Sequence, residues 1–296
     1  MEHPRIHHTY FKGNNKFLKK QQHNNSDWKA YRIGMIDSHS HIYCNAFDDD
    51  REQMLVRAQD AGVRHIVMPN ENCASIDLQK AVWQAHPDLV SITIGLHPEE
   101  IADDFRSQLQ AMHHMLAHAT LPFVAIGEIG IDLYWEQNRR EEQMEALHTQ
   151  LQWCKEFDLP FIIHCREGVK ECLEVMDHFG EPLPKGVFHS FTGTAAEIDA
   201  IRKRGDFYFG VNGIVTFKKS HIKELLPLIG INRLLLETDS PYLAPVPKRG
   251  KRNESAFTAH VCDFVAKEMQ MSSEEVARIT DSNACDLFRL TLTSSN

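Results

Sequence analysis

The chain has 296 residues, 42% of them hydrophobic, and a formal net charge of −9. This length suits one large α/β domain, and the absence of a long apolar run predicts that the protein does not associate with membranes. Seven cysteines without a CxxC pair argue against a disulfide framework and indicate a protein of the cytoplasm.

The first 34 residues differ from the rest in charge and pattern. They contain seven Lys/Arg and two Asp/Glu, which gives +5 against −14 for the remainder, and they show no hydrophobic periodicity. We predict a disordered basic leader over residues 1–34, with Met35 as a candidate true start, followed by one domain over residues 35–296. A basic arm that touches nucleic acid is the alternative. The acidic remainder argues against broad, non-specific binding of duplex DNA.

From Met35 onward, short apolar runs alternate with stretches of helical periodicity. The apolar runs predict eight buried strands, at 35–39, 64–69, 89–97, 123–130, 160–164, 186–190, 206–211 and 233–239. The helical stretches include residues 50–62, 138–158, 174–180 and 272–288. Eight strand–helix units predict an α/β fold of the (β/α)8 TIM-barrel type, with a doubly wound open sheet as the alternative.

Side chains that can bind metals follow six of these strands. In a (β/α)8 barrel the functional groups gather at the carboxyl ends of the strands. The predicted strand ends contain His39 and His41, His97, Glu128 and Asp132, His164 and Arg166, His189, and Glu237 and Asp239. Buried polar groups need partners, and a metal cluster would satisfy several of them together. The sequence therefore predicts a metal centre at this end of the barrel.

Seven motifs between Met35 and about Leu290 form a recognisable set. They are MIDSHSHI, GLHP, GEIGID, IIHCRE, HSFTG, LLLETDSPYL and the basic RGKRNE. Together they resemble the TatD family of metal-dependent hydrolases, within the amidohydrolase-like barrel superfamily. Other branches bridge their metals with a modified lysine, whereas VAIGEIGID offers Glu128 and no lysine. The resemblance implies a (β/α)8 barrel that uses two divalent metal ions to hydrolyse phosphodiester bonds, usually as a 3′ exonuclease on DNA.

The resemblance also implies a ligand set: His39, His41, Glu128, His164, His189 and Asp239. The first ion would be held by His39, His41 and Asp239. Glu128 would bridge to the second ion, and His164 and His189 would complete that site. Asp239 and Glu128 are the expected catalytic residues. Asp239 would orient the first ion, accept a proton from the attacking water, or do both, and a helix-capping acid is the alternative. The pattern leaves Mg²⁺, Mn²⁺ and Zn²⁺ open.

Two further residues are expected to contact the substrate near the metals. We expect His97 to contact a phosphate oxygen or the leaving group, and a capping histidine in the turn before Pro98 is the alternative. Arg166, two residues after His164, is placed to clamp a phosphate. The alternative for Arg166 is an ion pair with Glu167 or Glu128.

Aromatic and basic residues in the predicted loops complete the candidate site. Tyr134 and Trp135 are expected either to stack on a base or to form an ordinary lid over the barrel. Arg249, with Lys251 and Arg252, is expected to follow a nucleic-acid backbone, and a solvated loop is the alternative.

Three other features have weaker implications. Glu237 is expected to support a metal ligand or to form an ion pair. Ser255 stands where the family usually has proline after RGKRNE, and we expect this change to affect a loop and no ligand. The histidines of MHHMLAH, at 112–118, are expected to lie on a surface helix, although two of them are spaced for metal binding.

Three functions follow as hypotheses. The first is a two-metal phosphodiesterase, a 3′–5′ exodeoxyribonuclease acting on single strands or 3′ ends of DNA, with no obligate protein partner. The second is a hydrolase of a small ester, lactone or amide with the same metals. The third is a non-catalytic, metal-stabilised scaffold, which is the weakest because every ligand position is intact.

Overall fold

A computed structural model describes residues 34–180 and 182–292. Within them, eight parallel strands form one sheet in the order β1 to β8. Their bounds are β1 Met35–Asp37, β2 Val63–Met68, β3 Val90–Ile94, β4 Phe123–Asp132, β5 Phe161–Arg166, β6 Gly186–Phe188, β7 Tyr208–Val211 and β8 Leu234–Leu236. The predicted (β/α)8 barrel is confirmed. The predicted leader lies outside the described residues, apart from Gly34.

The described residues also form nine α-helices, and at least one follows each strand. Their bounds are α1 Arg51–Asp60, α2 Cys73–Ala85, α3 Phe105–Ala117, α4 Arg140–Glu156, α5 Val169–His178, α6 Ala195–Arg202, α7 Ile222–Ile229, α8 Thr258–Met269 and α9 Ser273–Phe288. Side-chain caps begin several of them, as at Asn72, Thr194 and Ser272. In the described ranges every helix is too short or too polar for a transmembrane segment.

The barrel closes where the residues after β1 meet those after β8. The Asp239 N–H donates to the His39 carbonyl oxygen over 2.9 Å. Below this contact, the fully buried Asp37 carboxylate accepts hydrogen bonds from the Thr238 N–H (2.9 Å) and hydroxyl (2.7 Å). Closure therefore brings His39 and Asp239, which are far apart in sequence, to adjacent positions.

Replacing Gly130 with alanine is expected to destabilise the protein by about 3 kcal/mol or more. Gly130 lies on β4 with φ +143°, a conformation that an L side chain rarely adopts. A Cβ atom at this position would overlap the carbonyl oxygen of His164 on β5. The free energy of unfolding of Gly130→Ala and wild type, measured by urea denaturation, checks this expectation.

Gly250→Ala is the matched control for this substitution. Gly250 also has a positive φ, +78°, but no atom lies within 4 Å of an added Cβ. Its substitution should therefore cost only the backbone strain, about 1 kcal/mol. Equal losses in the two variants would contradict a steric role for Gly130.

Acidification is expected to destabilise the fold through His65, which lies on β2 away from the candidate site. The side chain is 3% exposed, with Nε2 2.8 Å from the Ser91 hydroxyl, and burial lowers the pKa of His65 to about 4. Below its ordinary pKa of 6.5, the unfolded chain binds a proton that the folded chain does not. The contribution of neutral His65 to the free energy of unfolding is therefore complete above pH 6.5, and it falls by about 3 kcal/mol as the pH approaches 4.

Urea denaturation of chelator-treated wild type and His65→Asn between pH 4 and 7 measures this contribution. The difference between the two free energies of unfolding should shrink as the pH falls, because only the wild type loses the His65 contribution. A constant difference would show that His65 does not titrate in this range.

Candidate metal centre

Glu128 lies at the centre of a cluster of imidazoles at the carboxyl end of the barrel. It is 2% exposed, and its two carboxylate oxygens face different pairs of histidines. Oε2 lies 3.1 Å from His39 Nε2 and 3.8 Å from His41 Nε2. Oε1 lies 2.6 Å from His189 Nε2 and 3.0 Å from His164 Nδ1. A carboxylate with one oxygen directed to each pair can bridge two cations.

Asp239 joins the cluster on the His39–His41 side. Its Oδ1 lies 3.5 Å from His41 Nε2 and 3.8 Å from His39 Nε2. All six ligands expected from the sequence thus lie in one cluster. Three sets drawn from these six residues have ligand atoms within 4.8 Å of one another: His39, His41 and Glu128; His39, His189 and Asp239; and Glu128, His164 and His189.

The donor atoms of His39 fit a bound cation. Both ring nitrogens are buried and make no well-aligned hydrogen bond among the described residues, although Nε2 lies 3.1 Å from Glu128 Oε2. The ring stacks on His189 with the centroids 3.8 Å apart and the planes 6° apart. Because an unpaired buried polar atom is costly, a metal ion that accepts the lone pair of Nε2 would remove that cost.

The electrostatics of the cluster favour positive charge between its carboxylates. Burial opposes ionisation of Glu128, yet the imidazoles of His189, His39 and His97 hold its pKa well below the usual range. Burial likewise opposes charge on His41 and His164, but hydrogen bonds to carboxylates raise the pKa of each to about 9. The anionic carboxylates therefore attract cations, and divalent metals would supply that charge while leaving the imidazoles neutral.

Glu237 lies behind His189. Its Oε1 accepts a hydrogen bond from the Ser190 N–H over 2.6 Å and lies 3.7 Å from His189 Nδ1. The side chain is 1% exposed, and its carboxylate is directed at the ring nitrogen that faces away from Glu128. Of the two roles expected for Glu237, this geometry favours support of a metal ligand.

Two residues on the other side of the centre were not expected from the sequence. The Tyr43 hydroxyl lies 3.1 Å from His41 Nδ1, and Glu71 Oε1 lies 3.5 Å from the same nitrogen. Both oxygens can fix the ring so that its Nε2 faces Glu128 and Asp239. Glu71 follows β2, whose predicted end has no histidine, so no signal in the sequence singled it out.

His97 is oriented as a hydrogen-bond donor. Its Nδ1 accepts from the Glu99 N–H over 3.1 Å, so the proton of the neutral ring lies on Nε2. That nitrogen is 3.3 Å from Glu128 Oε1. Although ligand atoms of His97, Glu99 and His164 lie within 4.8 Å of one another, a protonated Nε2 suits a phosphate oxygen better than a metal.

Arg166, Tyr134 and Trp135 form an exposed platform beside His164. The Arg166 Cζ lies 3.9 Å from the centroid of the Tyr134 ring and 5.4 Å from that of Trp135. The two aromatic residues are 46% and 51% exposed. The guanidinium thus lies against the rings rather than in the ion pair with Glu167 or Glu128 that was the alternative, and the platform combines positive charge with aromatic surface.

The basic loop after β8 divides into an exposed and a fixed part. Arg249 is exposed, with its Cζ 3.8 Å from the centroid of the Phe217 ring. Arg252, expected to follow a nucleic-acid backbone, instead donates to the Asp50 carboxylate over 2.7 and 2.9 Å and lies over Phe47. Arg252 therefore joins the loop to the segment before α1, and Arg249 is the better candidate for phosphate contact.

Ser255 has a larger structural role than its loop position predicted. It is fully buried, and its hydroxyl lies 3.2 Å from that of Ser40, which also bonds Ser240 over 2.5 Å. Ser40 separates His39 from His41. The hydroxyl of Ser255 therefore supports the backbone between two candidate ligands, although it touches neither.

The histidines of MHHMLAH lie on α3 and at its end, as expected. His114 and His118 are exposed, with ring centroids 4.0 Å apart, and His113 Nε2 lies 3.0 Å from Glu156 Oε2. Their contacts are those of a surface helix.

Comparisons with known proteins identify the family. The sequence model of a protein family described as TatD related DNase matches residues 36–289. A relative in Bacillus subtilis, an uncharacterized metal-dependent hydrolase named YabD, is 34% identical over 257 residues, covering 86% of this chain and 99% of its own. The 3′-5′ ssDNA/RNA exonuclease TatD of Pectobacterium parmentieri is 33% identical over 262 residues, covering 86% and 100%.

Among solved structures, the TatD homologue YjjV of Escherichia coli K12 is similar in fold. It superposes with a TM-score of 0.79 at 27% identity, covering 87% of this chain and 98% of its own. The resemblance seen in the motifs therefore extends over the whole barrel. This chain belongs to the family of TatD-related DNases, which are metal-dependent hydrolases.

Proposed function

We propose that this protein is a two-metal hydrolase that removes nucleotides from the 3′ ends of single-stranded DNA. The observation that supports it most directly is the position of Glu128, whose oxygens face two separate pairs of histidines beside an exposed cationic and aromatic platform. The relative named as a 3′-5′ ssDNA/RNA exonuclease supports the same activity and adds RNA as a candidate substrate.

In the proposed assignment, each ion has its own ligands and shares Glu128. The first would be held by His39, His41 and Asp239, and the second by His164 and His189. When bound, the ions would activate water and stabilise charge that develops on the phosphate. Histidine-rich ligation suits Zn²⁺ or Mn²⁺, and phosphoryl chemistry often uses Mg²⁺, so the experiment below compares all three.

The side chains around the metals would bind and orient the substrate. Asp239 would accept the proton of the attacking water, and the Nε2–H of His97 would donate to a phosphate oxygen. Arg166 would neutralise a phosphate, while Tyr134 and Trp135 would stack on a base. Arg249 would contact the backbone farther from the centre. A flexible single strand can bring its bases to this platform, whereas a duplex keeps them stacked.

A small ester or amide is the second candidate substrate. The observation in its favour is charge, since residues 35–296 carry −14 and would repel a long polyanion. Such a substrate would need the metals but not the platform.

Because all seven cysteines are free thiols, we also propose a cytoplasmic location.

Metal-stripped protein, re-supplied in turn with Mg²⁺, Mn²⁺ or Zn²⁺, tests this function. The substrates are end-labelled single-stranded DNA, single-stranded RNA, duplex DNA and a panel of small esters and amides. Elemental analysis should find two metals per chain, and the 5′-labelled single strand should shorten stepwise from its 3′ end. Full activity without metal would refute the mechanism, and turnover of an ester alone would refute the nuclease.

A further inference from the structure

Asp132 contacts two parts of the candidate site with the two oxygens of one carboxylate. It is the last residue of β4 and is fully buried. Oδ2 lies 2.8 Å from His164 Nε2. Oδ1 accepts hydrogen bonds from the backbone N–H groups of Tyr134 (2.9 Å) and Trp135 (2.8 Å).

The first contact sets the proton position on His164. Oδ1 accepts two backbone N–H groups, and a carboxylate oxygen such as Oδ2, at hydrogen-bond distance from Nε2, acts as an acceptor. His164 must therefore donate from Nε2. In the neutral ring this leaves the lone pair on Nδ1, which faces Glu128 Oε1 at 3.0 Å. Asp132 thus directs His164 to bind a metal through Nδ1.

The second contact builds the turn that presents the aromatic platform. The N–H groups of Tyr134 and Trp135 converge on one oxygen, which fixes the backbone beneath both rings. Gln143 on α4 holds the same strand end, since its Oε1 accepts from the Asp132 N–H over 2.8 Å and its Nε2 donates to the Asp132 carbonyl over 3.1 Å. The backbone of Asp132 is therefore anchored, and its carboxylate is the direct link between the turn and His164.

We propose that Asp132 is a positioning residue that couples binding of a nucleobase on the Tyr134–Trp135 platform to metal affinity at the His164–His189 position. The coupling rests on the proposed function, because the ligand of the platform is the base of a nucleic-acid substrate. A stacked base further restrains the turn, the two N–H groups of the turn restrain Oδ1, and the same carboxylate then holds His164 in the orientation that binds metal.

Such a coupling is reciprocal. If a base on the platform raises the affinity for the second ion, the second ion raises the affinity for the base by the same factor. The enzyme would then complete its metal centre most readily when a base-bearing strand end is present.

Asp132→Asn tests the link to the metal in the absence of substrate. An amide has one acceptor oxygen, and two N–H donors converge on the Oδ1 position, so the amide NH₂ would face His164. The ring would then have to accept at Nε2 and place its proton on Nδ1. Titration with Mn²⁺, with free ion counted by electron paramagnetic resonance, should show a tenfold to hundredfold weaker second site, roughly the loss seen for other outer partners of metal ligands.

Glu136→Gln is the matched control. Glu136 belongs to the same loop, and its carboxylate accepts from the Asn138 N–H over 3.1 Å, away from the imidazoles. The substitution makes the same chemical change and should leave both Mn²⁺ affinities unchanged. An unaltered second site in Asp132→Asn, or an equal loss in Glu136→Gln, would overturn the proposal.

A pair of oligonucleotides tests the coupling itself. One is a phosphorothioate-linked oligothymidylate of eight units, and the other has the same backbone with abasic sites throughout. Both present phosphates to the metals, so only the difference between them reports the bases. In wild type the base-bearing strand should strengthen the second Mn²⁺ site several-fold more than the abasic strand, and in Asp132→Asn this difference should disappear.

The outcomes separate this inference from the proposed function. No difference between the two strands in wild type, or the same difference in Asp132→Asn, would refute the coupling while leaving nuclease activity in place. If wild type fails to cleave nucleic acid, the proposed function falls, and the substrate-free titration still decides whether Asp132 positions His164.

Discussion

Glu128→Gln is expected to lower kcat by on the order of a hundredfold or more, far more than replacement of His97. Glutamine keeps the volume of the side chain but has one oxygen and no negative charge. It cannot present an anionic oxygen both to His39, 3.1 Å away, and to His189, 2.6 Å away. Steady-state kinetics on a 5′-labelled single strand, together with elemental analysis, measure this effect.

His97→Gln is the comparison for Glu128→Gln. His97 contacts the same carboxylate, with its Nε2 3.3 Å from Oε1, but its orientation is that of a donor and not of a ligand. We expect a loss of about tenfold with both metals retained. Equal losses in the two variants, with unchanged metal content, would show that Glu128 does not bridge the ions.

Asp239→Asn is expected to lower kcat by roughly a hundredfold to ten-thousandfold, the range for loss of a general base. Asparagine keeps an oxygen that can face His41, 3.5 Å away, but it cannot accept a proton at neutral pH. The two roles considered for Asp239 give different results. Loss of proton transfer alone lowers kcat with two metals still bound, whereas loss of a ligand also lowers the metal content.

Asp199→Asn controls for the change in charge. Asp199 lies exposed on α6, outside the cluster, and its substitution should leave both kcat and metal content at the wild-type value. If Asp239→Asn retains more than about a tenth of wild-type kcat, well short of the loss typical of a general base, Asp239 is not the base.

The fold followed from the sequence because each strand had a local signal. Eight apolar runs and the helical stretches between them were sufficient to predict the barrel, since that pattern depends on neighbouring residues. The predicted boundaries of several helices and strands were less accurate. Helix α5 begins at Val169, before the predicted start at residue 174, because its buried face includes Cys172. Strands β1 and β8 end at Asp37 and Leu236, earlier than predicted, because the residues that follow leave the sheet and meet at the closure.

The sequence by itself determined the family, the barrel and the residue types from which a metal centre could be assembled. Histidines and acids at strand ends can be recognised in the sequence, because polar side chains are unusual beside apolar strands and the motifs that contain them are short. Tertiary structure alone decided which atoms face one another. Asp132 lies beside His164 because β4 pairs with β5, and Glu71 lies beside His41 because β1 pairs with β2. Arg252 contacts Asp50, instead of having its expected role, where the residues after β8 meet those after β1. Contacts of this kind join residues that are distant in the chain and depend on the assembled barrel, so no local pattern in the sequence encodes them.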